Sequence, residues 1–230
     1  VKSASVSAVR LLSGGGWGTS EVAIDNGPMT DDRSANRLWR NATTPGWFET
    51  MGMPVIEGRD FNASDRLGGP LVAIVNQAFA RRYHLGRQSI GRTIRLGTPG
   101  GDMRYEIVGL VGDAAYTSPR DGMLATMYVP MAQRTPSVFW PTVLLTIKAA
   151  PGQRAAVERE VTAALARVEP GVPFTFRTFD QYVEATVTGE RLIAMLSDAA
   201  GDRIAYVEEL LSTGDACMHA ADLAVRLRSN

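Results

Sequence analysis

The sequence predicts an α+β fold in which a β-rich segment is inserted into a smaller βαβ part. Residues 142–177 have the pattern of a strand, an amphipathic helix and a second strand, which is a βαβ or split βαβ unit. Residues 53–148 consist mostly of short β-type runs separated by glycine and proline turns. The chain of 230 residues is long enough for one large domain or for two small ones that share a core.

The N-terminal region predicts three strands joined by polar loops. Residues 3–9 largely alternate small polar and apolar side chains, which is typical of a half-buried strand. Residues 20–24 and 36–43 are predicted as the next two strands, with a polar connection over 25–34. The glycine-rich stretch 13–18 lacks the Lys of a phosphate-binding loop and precedes a strand-like run, so we interpret it as a flexible hinge.

Residues 44–61, TPGWFETMGMPVIEGRDF, predict a corner of helix, turn and strand. Pro45 suits the first turn of a short helix that runs to Met51, because the nitrogen of proline has no hydrogen to donate and none is needed there. Gly52 is expected to end this helix and to supply the backbone freedom that the turn requires. A strand is predicted over 53–56.

Aromatic side chains mark two places where the chain is expected to act as a joint or a contact surface. Trp47 and Phe48 are expected to anchor the short helix against the sheet. Phe139 and Trp140 precede a predicted strand and are either an exposed contact patch or buried against the sheet. The candidate joint or interaction residues are therefore Trp47, Phe48, Gly52, Phe139 and Trp140.

The middle of the chain predicts further strands and one short helix. An uninterrupted apolar run at 71–75 is typical of a strand that is buried on both faces. Asn76 is placed to cap a helix over 77–83. The other strands are predicted at 94–96, 105–111 and 125–129, with a turn-rich loop at 97–102.

The clearest helix of the chain follows the predicted strand at 142–148. Its apolar side chains recur every three or four residues, which is the spacing of one helix face: Val157, Val161, Leu165 and Val168. A strand over 173–177 follows this helix. Asp180 is expected to cap a last helix that runs towards Leu196.

Composition and charge exclude several classes of protein. Lys and Arg number 24 and equal the 24 Asp and Glu, so the chain lacks the basic excess of a nucleic-acid-binding domain. The single cysteine, Cys217, excludes an internal disulfide and a cysteine-rich zinc site, and His84 and His219 lie too far apart for metal-ligand spacing. No cofactor or metal is expected. No apolar run approaches the roughly 20 residues of a transmembrane helix.

The titratable residues do not predict a catalytic site. A Ser-His-Asp site needs a usable histidine, and His84 is expected at a helix C-terminus, which it would stabilise. Asp60 and Asp113 are the carboxylates most available for acid–base chemistry, yet each follows a strand or turn where capping is the commoner role. We therefore expect a protein that is not an enzyme.

Five segments, in order along the chain, resemble the motifs of one known family. They are TPGWFETMGMPVIEGRDF (44–61), VAIVNQAFARR (72–82), SIGRTIR (89–95), YEIVGLVGD (105–113) and ATMYVPMAQ (125–133). Together they resemble the MacB-like periplasmic core domain of FtsX-like permeases of ABC transporters, and among these a group of large duplicated permeases. The resemblance extends over about residues 1–197.

The resemblance implies two subdomains and a membrane context. A porter-like βαβ subdomain would comprise 1–45 and 141–197, and an inserted β-rich subdomain would comprise 46–140. The corner at 44–61 would be the joint between them. The domain would stand on the periplasmic side of the cell inner membrane, catalyse nothing itself, and move with the cycle of a cytoplasmic ATPase. Its partners would be the transmembrane helices of the permease, the ATPase domain or subunit, and a second permease copy or an extracytoplasmic adaptor protein.

The sequence departs from the family pattern at two places. The family has a further strand and helix before the segment that starts at Val1, and it has a transmembrane helix where this sequence has residues 198–230. A polar stretch over 198–203 is followed by an amphipathic pattern in which Ile204, Val207 and Leu211 are apolar. We expect 198–230 to be a helical tail that is foreign to the domain, or a segment that packs where a missing helix would lie. The chain is therefore expected to be a piece of a longer protein.

Two other functions remain open from the residues alone. One is a free-standing extracytoplasmic hydrolase that uses Asp113 or Asp60. The other is a module that binds a small ligand near Trp17, Trp47 and Trp140.

Overall fold

The computed structural model describes residues 1–12, 17–19, 21–31, 38–86, 88–97, 101–116, 122–133, 142–168, 171, 174–187 and 204–210. The strands are β1 (Ser3–Ser7), β2 (Trp17–Thr19), β3 (Glu21–Ile24), β4 (Thr30–Asp31), β5 (Leu38–Thr43), β6 (Val55–Gly58), β7 (Val72–Asn76), β8 (Thr93–Leu96), β9 (Met103–Val111), β10 (Thr126–Pro130), β11 (Thr142–Lys148), β12 (Phe174–Thr178) and β13 (Ile204–Leu210). The helices are α1 (Trp47–Met51), α2 (Gln77–Arg82), α3 (Arg154–Val168) and α4 (Phe179–Val187).

All thirteen of these strands belong to one mixed sheet. Their order across the sheet is β12-β13-β11-β1-β5-β10-β7-β9-β8-β3-β4, with β2 beside β5 and β6 beside β9. The pairs β5–β10 and β7–β9 are parallel, and the other pairs are antiparallel. The predicted combination of a βαβ unit at one end with a strand-rich remainder is confirmed.

One face of the sheet carries α2 and α3. Val157 and Val161 of α3 share a core cluster with Ala4 and Val6 of β1. Phe79 of α2 lies in a second cluster, which is formed with residues of β7, β9 and β10. These apolar contacts explain why the periodic helix after residue 151 is stable, since its apolar face is buried against the sheet.

The opposite face carries α1 and α4. Trp47 and Phe48 of α1 pack with Tyr128 of β10 in a third core cluster. Tyr182 of α4 packs against Leu144 of β11. Because successive side chains of a strand point to opposite faces, helices on both faces bury whole strands. All five residues of β7 are buried, as predicted for this apolar run.

The first strand differs from its prediction. β1 ends at Ser7, and all five of its residues are buried, so it is not the half-buried strand that the alternation predicts. Ala4 and Val6 contribute to the core under α3, and the serines on the other face are buried as well. The period-two pattern predicts which side chains share a face of the strand, but it does not predict that both faces are buried.

The strand pairing places residues 21–31 away from the rest of the N-terminal region. The resemblance implies that 1–45 belongs to the porter-like subdomain, whereas β3 pairs with β8 and β4 pairs with β3 at the far edge of the sheet. In space these two strands therefore belong with the strands of 46–140.

The last helix begins two residues earlier than expected, at Phe179, and has a different cap. The backbone N–H of Gln181 donates to the hydroxyl of Thr178 at 3.2 Å, and the N–H of Thr178 donates to the side-chain carbonyl of Gln181 at 2.9 Å. This reciprocal arrangement is a capping box. The prediction that Asp180 caps the helix is wrong, because Asp180 lies within the first turn.

The prediction of a helical tail is wrong over 204–210. These residues form β13, which lies between β11 and β12 and is antiparallel to both. The apolar positions Ile204 and Val207 therefore belong to a strand. Residue Leu211 and the rest of 211–230 lie outside the described part of the chain.

Candidate functional site

The corner at residues 44–61 is built around a short helix with a glycine at each end. Gly46 precedes α1 with φ of 79°, and Gly52 follows it with φ of 73°. The N–H of Gly52 donates to the carbonyl oxygen of Glu49 at 3.1 Å, and the N–H of Met53 donates to that of Phe48 at 2.8 Å. These two hydrogen bonds form a Schellman motif, which confirms that Gly52 ends the helix.

Side-chain hydrogen bonds fix both ends of the corner. The hydroxyl oxygen of Thr44 accepts from the N–H of Val6 at 2.8 Å, which ties the start of the corner to β1. One carboxylate oxygen of Asp60 accepts from the N–H of Gly46 at 2.9 Å, and the other accepts from the N–H of Phe61 at 2.6 Å. Asp60 therefore joins the beginning of the corner to its end.

An aromatic cluster holds the corner helix against the sheet. The rings of Trp47 and Phe48 lie 5.3 Å apart in an edge-to-face arrangement, and both contact Tyr128, with ring centroids 5.6 and 4.9 Å away. Phe61, at the end of the corner, lies 6.2 Å from Phe48. Trp47 and Phe48 are 1% and 0% exposed. They act as anchors in the core and cannot form a surface for a partner.

The corner helix contacts both parts of the sheet. Its Trp47 and Phe48 lie in the cluster formed with β7, β9 and β10. Met51, one turn later, packs against this cluster and also against Leu144 of β11 and Tyr182 of α4. One helix therefore touches the β-rich part through one side and the βαβ part through the other.

Two glycines let the strand of the corner approach β9. Gly58 of β6 pairs with Gly109 of β9 in a ladder that contains a β-bulge. A Cβ atom on Gly109 would overlap the carbonyl oxygen of Arg59, and one on Gly58 would overlap that of Val108. The two backbones come too close for any side chain here. A glycine inside a strand signals such an approach, so the pattern YEIVGLVGD carries this information.

A buried polar centre lies beneath the aromatic cluster. The side chain of Asn41 accepts from the N–H of Val9 at 2.9 Å and donates to the carbonyl of Val9 at 3.0 Å and to the hydroxyl of Tyr116 at 2.9 Å. Burial raises the pKa of Tyr116 and Tyr128 above the ordinary value of 10. These groups connect the N-terminal loop to the cluster and keep both phenols neutral.

The candidate carboxylates Asp60 and Asp113, and the neighbouring Asp65, are all hydrogen-bonded to the fold. Asp113 accepts from the N–H of Ala78 at 2.7 Å and pairs with Arg81 at 2.6 Å, so it caps α2 together with Asn76. Asp65 accepts two hydrogen bonds from Arg59, at 2.7 and 2.9 Å. Burial alone would raise the pKa of Asp65, but the Arg59 pair and the Asn62 amide outweigh it and hold that pKa below the usual value.

The described residues contain no group of three or more His, Cys, Asp and Glu side chains that could hold a metal ion. Among the described helices, none has the length and apolar character needed to cross a bilayer.

His84 ends α2 in the left-handed region with φ of 51°. The N–H groups of His84 and Leu85 donate to the carbonyls of Arg81 and Ala80, which is a second Schellman motif. His84 thus has the helix-terminating place that the sequence predicts.

The structure describes three of the five candidate residues. Trp47, Phe48 and Gly52 come together in the corner. Phe139 and Trp140 lie outside the described residues. The sequence did not predict the roles of Asp60 and Gly109. The distance of Asp60 from Gly46 along the chain follows no local motif, whereas a glycine inside a strand is a usable signal.

Two aliphatic side chains of the corner are exposed, as are the charged side chains of Glu49 and Arg59. Val55 and Ile56 of β6 are 40% and 48% exposed. β6 pairs with β9 along one edge, and within the described residues no strand pairs with its other edge. The corner thus buries its aromatic side chains and exposes Val55 and Ile56.

The amino-acid sequence matches one family model. It is the MacB-like periplasmic core domain, and the match covers residues 6–164. No curated protein matches the sequence at a significant level.

One solved structure shares the overall fold, and two others have a lower structural similarity to this chain. A domain ascribed to a permease protein of Porphyromonas gingivalis superposes with a TM-score of 0.50 at 13% sequence identity, over 96% of this chain and 83% of that chain. The periplasmic region of MacB from Actinobacillus actinomycetemcomitans gives a TM-score of 0.39 at 12% identity, over 100% and 69% of the two chains. The extracellular domain of the noncanonic ABC-type transporter YknZ from Gram-positive bacteria gives 0.37 at 16% identity, over 100% and 75%.

Proposed function

Because the chain belongs to the MacB-like periplasmic core domain family of ABC-transporter permeases, we propose that it is the extracytoplasmic domain of such a permease and couples the cytoplasmic ATPase cycle to events outside the membrane. The family match over 6–164 is the observation that carries this proposal. The domain stands on the periplasmic side of the inner membrane, and its transmembrane helices and ATPase belong to other parts of the transporter. It handles a substrate or a partner protein and catalyses no reaction.

The structure supports a mechanical role for the corner. α1 contacts Tyr128 on one side and, through Met51, Leu144 and Tyr182 on the other. The two parts are also joined by five residue pairs between β5 and β10. A hinge is hard to reconcile with an unbroken sheet, since bending would break this ladder. The corner is therefore a rigid joint, and the two parts move together as one body.

Movement with the ATPase cycle is the part of this proposal that most needs a test. An environment-sensitive fluorophore is attached at Ile56→Cys, which is exposed on β6, in the complete permease reconstituted with its ATPase in lipid vesicles. ATP is expected to change the emission, because the domain changes its neighbours when it moves. Matched probes at Leu67→Cys and at Arg159→Cys, both exposed, report on two other surfaces of the domain. An ATPase that binds but does not hydrolyse ATP is the control, and three probes that are all insensitive to ATP would contradict coupling.

The alternative hydrolase function has a direct test. Asp60 and Asp113 are the carboxylates that it would need, and both already accept backbone N–H groups. Unsubstituted protein and the doubly substituted Asp60→Ala, Asp113→Ala protein are compared on a broad set of ester, amide and glycoside substrates. We expect neither to hydrolyse anything above buffer. An activity that the unsubstituted protein has and a folded double variant lacks would overturn the proposal.

The alternative small-ligand function has less support. Trp47 is 1% exposed and lies in a packed aromatic cluster, so it cannot line an open site. Trp140 and the side chain of Trp17 lie outside the described part of the structure. If a ligand altered tryptophan fluorescence equally in the unsubstituted protein and in a Trp47→Phe variant, the result would indicate binding near Trp17 or Trp140.

A further inference from the structure

A single strand separates the two strands of the unit β11–α3–β12. β13 pairs with β11 over seven residues, from Thr142↔Leu210 to Lys148↔Ile204. It pairs with β12 over five residues, from Phe174↔Glu209 to Thr178↔Ala205. Both pairings are antiparallel, so β11 and β12 run parallel to each other. They are separated by two strand spacings, or about 10 Å. We call the space between them the slot.

The attachment of β12 to the sheet depends on the strand that fills the slot. Within the described residues, β12 pairs with no strand except β13. An empty slot would leave unpaired N–H and C=O groups along one edge of β11 and one edge of β12. Two such edges facing each other across one strand width form a template for an extended segment.

The slot and its occupant come from separate segments of the chain. α4 ends at Val187 and β13 begins at Ile204, so sixteen residues (188–203) lie between them. Sixteen residues can span up to about 55 Å, which allows β13 to reach the slot of its own chain or that of a neighbour. β13 also lies outside the residues 6–164 that match the family model. β12, which forms one wall of the slot, lies outside the matched residues as well.

The register defines what the slot accepts. Ala205, Val207 and Glu209 are the Cα partners of Ile147, Leu145 and Val143, which are buried in the cluster under α3. Directly paired residues lie on the same face of a sheet. A segment that fills the slot therefore needs an extended backbone with a free N–H at each residue.

We propose that the slot is a strand-binding site, that residues 204–210 are its replaceable occupant, and that the same strand from a second copy of this chain fills it to join two copies by strand exchange. Exchange of an identical element conserves every pairing of the single chain, so it requires no new contact. The proposal goes beyond the permease role and does not depend on it.

The first test opens the slot in the full chain. Val207→Pro removes an N–H from a central strand and is expected to expel β13, because proline is not tolerated there. A fluorescein-labelled peptide of residues 201–213 should then bind at least tenfold more tightly to the variant than to the unsubstituted chain, whose own strand competes at high effective concentration. The same peptide with proline at position 207 is the matched control and should not bind.

Each other outcome of this test is decisive. If the Val207→Pro chain fails to fold, the peptide added during refolding should restore its circular dichroism and thermal transition, and failure to do so overturns the proposal. A variant that melts at the same temperature as the unsubstituted chain and binds no peptide overturns it as well.

The second test measures exchange between copies. Two chains with Cys217→Ser are prepared, one with Leu145→Cys and the other with Val207→Cys, which are Cα partners. When the chains are unfolded, mixed, refolded and oxidised, a covalent dimer should form. The control mixture of Leu145→Cys with Tyr206→Cys should give at least tenfold less, since Tyr206 is the partner of Thr146 on the other face. Equal yields of dimer in both mixtures, or no dimer in either, would refute exchange.

Discussion

The carboxylate of Asp60 accepts a hydrogen bond from the backbone N–H of Gly46 at 2.9 Å and so joins the two ends of the corner. Fourteen residues separate them along the chain, and α1 lies between. Gly46 has φ of 79° and begins the helix without a side-chain cap of its own. Asp60 supplies the acceptor from the far end of the corner, which closes the segment into a loop held at its base.

Loss of this carboxylate should destabilise the whole domain. Asp60→Ala leaves the N–H groups of Gly46 and Phe61 without their acceptors, and a lost partner of this kind costs about 1–3 kcal/mol of the free energy of unfolding. Urea denaturation followed by circular dichroism measures it. Asp102→Ala is the control, because Asp102 forms a surface ion pair with Arg95 at 3.0 Å, which is worth at most about 1 kcal/mol. Equal losses of the free energy of unfolding in the two variants would contradict the role of Asp60 in joining the two ends of the corner.

Substitutions at the two Schellman motifs are expected to change the stability of the protein in opposite directions. A Cβ atom at Gly52 meets nothing within 4 Å, so Gly52→Ala should cost only the left-handed backbone conformation, about 1–2 kcal/mol. His84 already has that conformation, with φ of 51°. His84→Gly should therefore raise the melting temperature by relieving the same strain.

Calorimetry of Gly52→Ala and His84→Gly beside the unsubstituted protein tests this pair of predictions. A lower melting temperature for His84→Gly would mean that the imidazole makes a contact worth more than the backbone strain.

The close approach of β6 and β9 predicts a larger effect at Gly109. A Cβ atom there would overlap the Arg59 carbonyl oxygen, which belongs to the backbone and cannot turn away. Gly109→Ala should therefore cost more than about 2 kcal/mol, within the range of overpacked cores. Gly112→Ala is the matched control, three residues further, because its Cβ would meet only the ring of Pro54, at 3.3 and 3.4 Å. Chemical denaturation should give Gly109→Ala a clearly lower free energy of unfolding than Gly112→Ala, and the reverse order would refute the close approach of the two backbones.

The buried phenols predict a loss of stability at alkaline pH. Burial raises the pKa of Tyr128 in the folded state above 10, so the neutral form stabilises the fold fully below pH 10. That stabilisation is lost as the pH rises above 10, where the unfolded chain releases a proton that the folded chain keeps. One such group changes the free energy of unfolding by about 1.4 kcal/mol per pH unit.

Urea denaturation between pH 8 and 11 measures this dependence. Tyr128→Phe should flatten the alkaline slope by about one proton, since phenylalanine has no group to titrate. Tyr83→Phe is the control, because the ring of Tyr83 is half-buried and lies against Phe79, away from the cluster. A slope that Tyr128→Phe leaves unchanged would contradict the assignment.

Local patterns predicted most of the elements but not their neighbours. The helix 154–168, the apolar strand at 72–76 and the end of α1 at Gly52 follow from periodicity and glycine chemistry within a few residues. The Asp60–Gly46 hydrogen bond and the place of β3 beside β8 depend on how distant segments meet. The spacing of residues within one segment does not predict such contacts between distant segments.

The last strand shows the same limit. Residues 204–210 have apolar side chains at positions that fit one face of a helix, and in the structure they form a central strand. A short apolar pattern suits either structure, and the pairing with β11 and β12 decides between them. The tertiary context therefore overrides the local pattern, as it does for strand propensity in general.

Membrane topology tests the central claim most directly. The complete gene product is expressed with Cys217→Ser and with Arg159→Cys on the exposed side of α3, and spheroplasts are treated with a sulfonated maleimide that does not cross the inner membrane. If the chain is the extracytoplasmic domain of an ABC permease, Arg159→Cys is labelled in intact spheroplasts as fully as after lysis, and the labelled polypeptide leaves the membrane fraction only with detergent. Labelling only after lysis, or a labelled polypeptide that is released without detergent, would contradict it.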